Sequence, residues 1–202
     1  MNRFDAVAKD WDNKPTSKLI AQKSALGIKA HVNLQNKDIL DYGCGSGLLA
    51  FSVSQEAKSV LGMDNSTGMV EVFNQKAKEF GFDNIHAMKH NINEQNLASN
   101  QFDVIISSMT LHHILKPENF FTQCQKALKN GGYLCISDLD EEDGTFHAKH
   151  NNDGVEHFGF SHEQIKTLYK NSGFELIYLE NICEITRENG VFPIFLAIGK
   201  IK

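Results

Sequence analysis

Between residues 37 and 138 the chain alternates short apolar runs with longer stretches whose apolar positions recur three and four apart. The runs at 37–42, 59–64, 84–90, 102–107 and 132–138 have strand length. The stretches GLLAFSVSQEA, TGMVEVFNQKAKEFG, PENFFTQCQKALKNGG and, after the last of these runs, SHEQIKTLYKNSGF have helical spacing. This alternation predicts β-α-β units and a largely parallel sheet. Gly81, Gly131 and Gly173 stand where a residue tolerant of positive φ closes a helix. Pro117 suits a first helical turn, and Ser161 suits an N-cap. Beyond 173 the pattern changes: FELIYLENICEITRENGVFPIFLAIGKIK reads as two strands joined at Asn189 and Gly190, which ends the sheet with an antiparallel strand. The first 30 residues read as a helical cap.

The 202 residues, 41% of them hydrophobic, suit a single domain, 1–202, with a core of its own. No run approaches the ~18 consecutive apolar residues of a membrane span, and MNRFDAVAKDWDNK lacks the apolar stretch of a secretory signal. A cytoplasmic protein without a membrane partner is expected. Cys44, Cys124, Cys135 and Cys183 are scattered, which argues against a disulfide framework and against a zinc site. A net charge of -5 and a pI near 6.0 provide no field for a phosphate backbone, so no nucleic-acid partner is expected.

Asp41 precedes three alternating glycines, Gly43, Gly45 and Gly47, where the first strand hands over to the first helix. Ligands of open α/β sheets bind at the carboxyl ends of the strands, and glycine lets main chain turn tightly and approach them. A tight turn alone accounts for one or two of these glycines, whereas three argue for a ligand. A dinucleotide fingerprint needs its third glycine at 48, and that residue is Leu48. A nucleoside without phosphates therefore suits the turn better than a nicotinamide dinucleotide. Asp64 ends the second run, 17 residues beyond Gly47. A carboxylate there can accept two hydrogen bonds from a ribose diol, or it can cap the next helix.

The motifs in order resemble those of the class I S-adenosylmethionine-dependent methyltransferases. ILDYGCGSGLLA is similar to the glycine-rich motif and VLGMDNS to the acidic second-strand motif. FDVIISSMTLHHI resembles the fourth-strand segment, and ALKNGGYLCISD the glycine turn and fifth strand. The resemblance implies a Rossmann-like three-layer sandwich of seven strands in the order 3-2-1-4-5-7-6, strand 7 antiparallel. It implies S-adenosylmethionine as cofactor and S-adenosylhomocysteine as product. By position, Asp41 and the loop Gly43, Cys44, Gly45 and Gly47 hold the methionine moiety and Asp64 the ribose hydroxyls. Asn65 and Met69 lie near the adenine. Where the family often has Asp and an apolar residue, this chain has Asn91 and Ile92, an uncharged acceptor for the adenine amino group. Ser107 and Ser108 close the sulfonium side. FDAVAKDWD resembles the lid helix, in which Trp11 either covers the cofactor or packs in the core.

Methyl transfer from a sulfonium asks the protein for orientation and exclusion of water, and for a base only with some acceptors. The segment 139–160 reads as a substrate-side insert, because DLDEEDGTFH followed by HFGF resembles motifs of a small-molecule branch of the family. His147 and His157 are the catalytic candidates, with Asp138 and Asp140 to orient them, or else histidines of a wet loop. Phe146, Phe158 and Phe160 could wall an apolar acceptor or belong to the core. His112 and His113, being adjacent, are expected to point apart. Asp138, Asp140, Asp143, His147, His150 and His157 form no recognised metal spacing, so no metal is expected. The expected function is methylation of a small-molecule acceptor by a monomer or homodimer. The alternative is a protein that binds S-adenosylmethionine or S-adenosylhomocysteine without transferring the methyl group, as a regulatory or partner-activated subunit.

Overall fold

The computed structural model describes residues 3–147 and 152–201. Seven strands form one sheet: β1 (Asp38–Tyr42), β2 (Ser59–Asp64), β3 (Ile85–Lys89), β4 (Phe102–Ser108), β5 (Leu128–Leu139), β6 (Phe174–Arg187) and β7 (Gly190–Ile201). Their order is β3-β2-β1-β4-β5-β7-β6. The pairs from β3 to β5 are parallel, while β7 runs antiparallel to both β5 and β6. This is the expected arrangement of the Rossmann-like sandwich.

Side-chain alternation along the strands builds two cores. On one face, Ile39, Val104 and Ile106 pack with Ala25 and Ile28 of α1 (Pro15–His31), Leu49 and Val53 of α2 (Leu48–Val53) and Phe73 of α3 (Thr67–Glu79). On the other, Leu40 and Ile105 meet Phe120 and Phe121 of α4 (Pro117–Ala127) and Ile165 and Tyr169 of α5 (His162–Asn171). Local chemistry marks the helix starts. The Ser66 hydroxyl accepts from the Met69 amide at 3.2 Å, Pro117 occupies the first turn of α4, and Ser161 and Gln164 form a capping box.

The helical cap expected before β1 comes in two pieces: Asp5–Asn13 is a 3-10 segment, Lys14 is extended at ψ 113°, and Pro15 starts α1 afresh. Two details depart from the sequence reading. Gly131 closes no helix. The α4 helix stops at Ala127, and Leu128 already pairs with Phe102, so Gly131 takes its positive φ of 73° within β5, beside a register shift. The hairpin turn is Glu188–Asn189, because Gly190 pairs with Arg187.

Between 139 and 160, the described part of the insert lies back along the end of β5. Phe160 donates its amide to Leu139 O at 3.0 Å, and the Glu156 and His157 amides donate to His112 O at 2.9 and 3.1 Å. His150 lies outside the described residues.

The last strand is packed too closely to gain a side chain. A Cβ at Gly199 would stand 2.3 Å from the Tyr169 ring, whose hydroxyl donates to Ala197 O at 3.0 Å and Leu134 O at 3.2 Å. Gly199→Ala is therefore expected to lower unfolding free energy by about 1–3 kcal/mol, read from urea denaturation curves.

Candidate functional site

A cavity of about 980 Å³ opens at the carboxyl ends of β1, β2 and β4, where an open α/β sheet presents strand ends without a covering helix. Its floor is the turn after β1, and the three glycines there do different work. A Cβ at Gly43 would stand 2.1 Å from Thr110 Oγ1. At Gly47 it would stand 2.7 Å from Phe51 and Phe73, so that glycine serves the seating of α2 and lies off the cavity lining. Gly45, at φ 52°, lines the cavity, and a Cβ there would meet nothing nearer than Met69 Sδ at 4.0 Å.

Two carboxylates flank this turn. Asp64 Oδ2 accepts from the Gly45 amide at 2.9 Å and Oδ1 from the Ser66 amide at 2.8 Å. Asp64 thus ties the glycine turn to the start of α3. Burial raises its pKa, opposed by those amides. Asp41 is fully buried, and its Oδ2 has no partner. Burial pushes its carboxyl up to about 7, with the Asp64 charge adding to the shift and the Ala50 amide opposing it.

The 3-10 segment lies over the cavity, to which Phe4, Val7 and Trp11 contribute. Its carboxylates fasten it down. Asp5 accepts from the Ser66 hydroxyl at 2.6 Å and the Gly68 amide at 3.0 Å, and Asp12 accepts from Ser46 and Lys76. Trp11 packs edge-on to Phe4, and the Lys14 ammonium sits 3.9 Å from its ring centroid.

The same cavity carries histidines. The 3-10 turn Leu111–His113 sets the rings of His112 and His113 4.0 Å apart, and His147 approaches both, with centroids 5.3 and 5.8 Å away. The tight turn puts adjacent side chains on one side, contrary to expectation. Asp138, buried, accepts from His112 Nδ1 at 2.6 Å, Leu139 N at 2.7 Å and Leu111 N at 2.8 Å. Burial raises the Asp138 carboxyl, but His112 and the Leu139 amide more than offset that and hold it below the usual range. Burial and neighbouring charge lower His147 to about 4 and His113 to about 3, so both are neutral at pH 7.

A family model described as a methyltransferase domain matches residues 33–188. The chain belongs to that family. Its strand order and antiparallel β7 make it a class I, S-adenosylmethionine-dependent member. It is 30% identical over 147 residues to the uncharacterized methyltransferase C1347.09 of Schizosaccharomyces pombe, covering 66% of this chain and 52% of that one. It is 29% identical over 143 residues to a ubiquinone biosynthesis O-methyltransferase of Coxiella burnetii, covering 68% and 60%. The chain thus spans between half and three-fifths of these curated relatives. A SAM-dependent methyltransferase from Aquifex aeolicus superposes with a TM-score of 0.76 at 19% identity over 98% of both chains.

Against this family background, the structure brings Asp41, Gly43, Cys44, Gly45, Asp64, Asn65, Met69, Asn91, Ile92, Trp11 and His147 to one cavity. Gly47 and Ser107 lie off it, and the Ser107 hydroxyl donates to Tyr42 O at 2.7 Å. Ser108 lines the cavity instead. Asn91 Oδ1 accepts from the Asn93 amide at 3.1 Å and its Nδ2 donates to Glu94, so this side chain organises its own turn. His157 lies off the lining, with Nε2 3.0 Å from Ile114 O and its ring against Phe160. Asp138 orients His112 rather than His147 or His157, and Asp140 faces His162 at 3.8 Å. Of the three phenylalanines, Phe146 lines the cavity, Phe160 is in the core and Phe158 is exposed. Sequence reasoning missed His112 and His113 as site residues. Their signal was the adjacency of LHH to a strand end, readable only once the turn type is known.

Asp41 carries a pH dependence of determinate sign. A folded pKa near 7, above the unfolded value of about 3.9, contributes stability that is complete below pH 4 and lost as pH rises to 7. In the protein without ligand, Asp41→Asn removes that loss. Its stability relative to the parent is expected to rise by about 3 kcal/mol from pH 4 to pH 7, measured by denaturation at each pH.

Proposed function

We propose that the chain transfers a methyl group from S-adenosylmethionine to a small, negatively charged acceptor held between the glycine turn and the histidines. The observation that carries the cofactor half is the buried, unpartnered Asp41 Oδ2 in the lining of the same cavity as the open turn at Gly45. An orphaned acceptor at such a place is costly unless a ligand donates to it, and a cationic amino group is the donor that suits a carboxylate best. The residues therefore fit the cofactor. Asp41 would hold the amino group of its amino-acid portion, Asp64 its ribose hydroxyls, and Asn65, Met69 and Ile92 its base.

When bound, the cofactor supplies a methyl group on a sulfonium leaving group, which needs no further activation. The chain supplies position and a dry setting. Ser108 and Thr110 line the cavity between the turn and the histidines, Phe146 walls the far side, and the 3-10 segment covers the whole.

The charge at the far end supports an anionic acceptor. Arg3, Lys14 and Arg187 line the same cavity, and Arg3 and Arg187 both depress Lys14 after desolvation has done so. The same two guanidiniums act on His147. Cations crowded into one cavity repel one another, and an anion between them relieves the repulsion.

Calorimetric titration with S-adenosylhomocysteine tests the cofactor half: Asp64→Ala should weaken binding by about 1–3 kcal/mol, a factor of roughly 5 to 150. An unchanged dissociation constant removes Asp64 from the site. For the acceptor half, a turnover screen pairs carboxylate- or phosphate-bearing compounds with their neutral esters. The charged member of each active pair should react faster, and Arg187→Ala should erase that preference. Binding of S-adenosylhomocysteine with no methylated product across the screen would make the chain a binding protein.

A further inference from the structure

We propose that His112, His113 and His147 form a three-histidine site for one first-row divalent cation of the zinc class, at the acceptor end of the cavity. One ring nitrogen from each histidine lies within 4.8 Å of the other two. A tetrahedral zinc ion with bonds of about 2.0–2.1 Å needs its nitrogens roughly 3.3 Å apart, so ring rotations of about an ångström close the set.

The orientation of the rings points to a ligand rather than to chance. His112 gives Nδ1 to Asp138 at 2.6 Å and His113 gives Nδ1 to Gly154 O at 2.6 Å. Each is fixed through one nitrogen, with Nε2 left over. Such anchoring by a carboxylate and a backbone carbonyl is how metal-binding imidazoles are generally held, since it sets the tautomer and makes the free nitrogen a better donor. His112 is 1% exposed and its Nε2 has no hydrogen-bond partner, and His147 Nε2 is likewise buried and unpartnered. Two orphaned nitrogens turned toward one small volume are an unfavourable arrangement that a cation removes. The buried Asp138 carboxylate supplies negative charge directly behind the set.

Three protein ligands leave the fourth position of a tetrahedral ion open to the cavity, the pattern of a zinc site that engages a substrate rather than one that merely braces a fold. The class of acceptor follows: a molecule that presents an anionic or readily ionised oxygen or sulfur to the ion. This deepens the functional reading above, but binding of the ion does not depend on it.

The probe is Co²⁺, added to the full chain stripped with chelator, with ligand-field absorption recorded between about 500 and 700 nm and bound metal counted by mass spectrometry. One equivalent with a tetrahedral spectrum, displaced by Zn²⁺, is the expected result. His147→Ala, on a loop outside the regular elements, should lose the spectrum and the equivalent. Asp138→Asn, which leaves all three ligands in place, should weaken affinity about 10- to 100-fold. Thermal melts confirm that each variant is folded, and His113→Gln provides a further ligand deletion. No stoichiometric cobalt, or cobalt bound equally by parent, His147→Ala and His113→Gln, overturns the proposal. S-adenosylhomocysteine titrations on the same samples report separately, so failure of the metal site and failure of the cofactor reading are distinguishable.

Discussion

Two carboxylates, one buried and one half-buried, at the ends of adjacent parallel strands govern the rest of the cavity. β1 and β2 pair in register from Asp38 with Ser59 to Tyr42 with Met63, and this brings Asp41 and Asp64 to one end of the sheet. Among the described residues, neither accepts from a cationic side chain. Asp64 is met by the amides of the glycine turn and of α3, and Asp41 is left with an oxygen unmet. Burial penalises the charged form of both groups and leaves Asp41 with an unmet acceptor. The glycine turn, the tie to α3 and the segment fastened by Asp5 and Asp12 are arranged around that deficit.

The cavity carries charge of both signs. Acidic groups gather at the glycine turn, and guanidiniums and imidazoles line the same cavity, where Arg3 and Arg187 act on His147.

The sheet was legible because its signals are local and repeated. Apolar runs of period two, capped helices and an Asn-Gly hairpin each predict an element without reference to the rest, and their order determines the parallel pairing. Ser161 with Gln164, and Pro117 at the head of α4, were readable at the level of a few residues. The cofactor end was nearly as legible, since Asp41, Gly45 and Asp64 sit at strand ends that the pattern locates. The acceptor end was not. His112, His113 and His147 meet through a 3-10 turn and a loop, structures whose periodicity is too short to read. Helix spacing misplaced Gly131 because pairing of Leu128 with Phe102 outcompetes one more helical turn.

The packing beneath the glycine turn bears on how such a protein can change over generations. A side chain at Gly47 would strike Phe51 and Phe73, and one at Gly62 would stand 2.8 Å from Cys44 Sγ, so the floor tolerates almost no substitution. The segment that carries His147 is a loop outside the regular elements, so change over generations is recorded there more readily than in the floor of the turn.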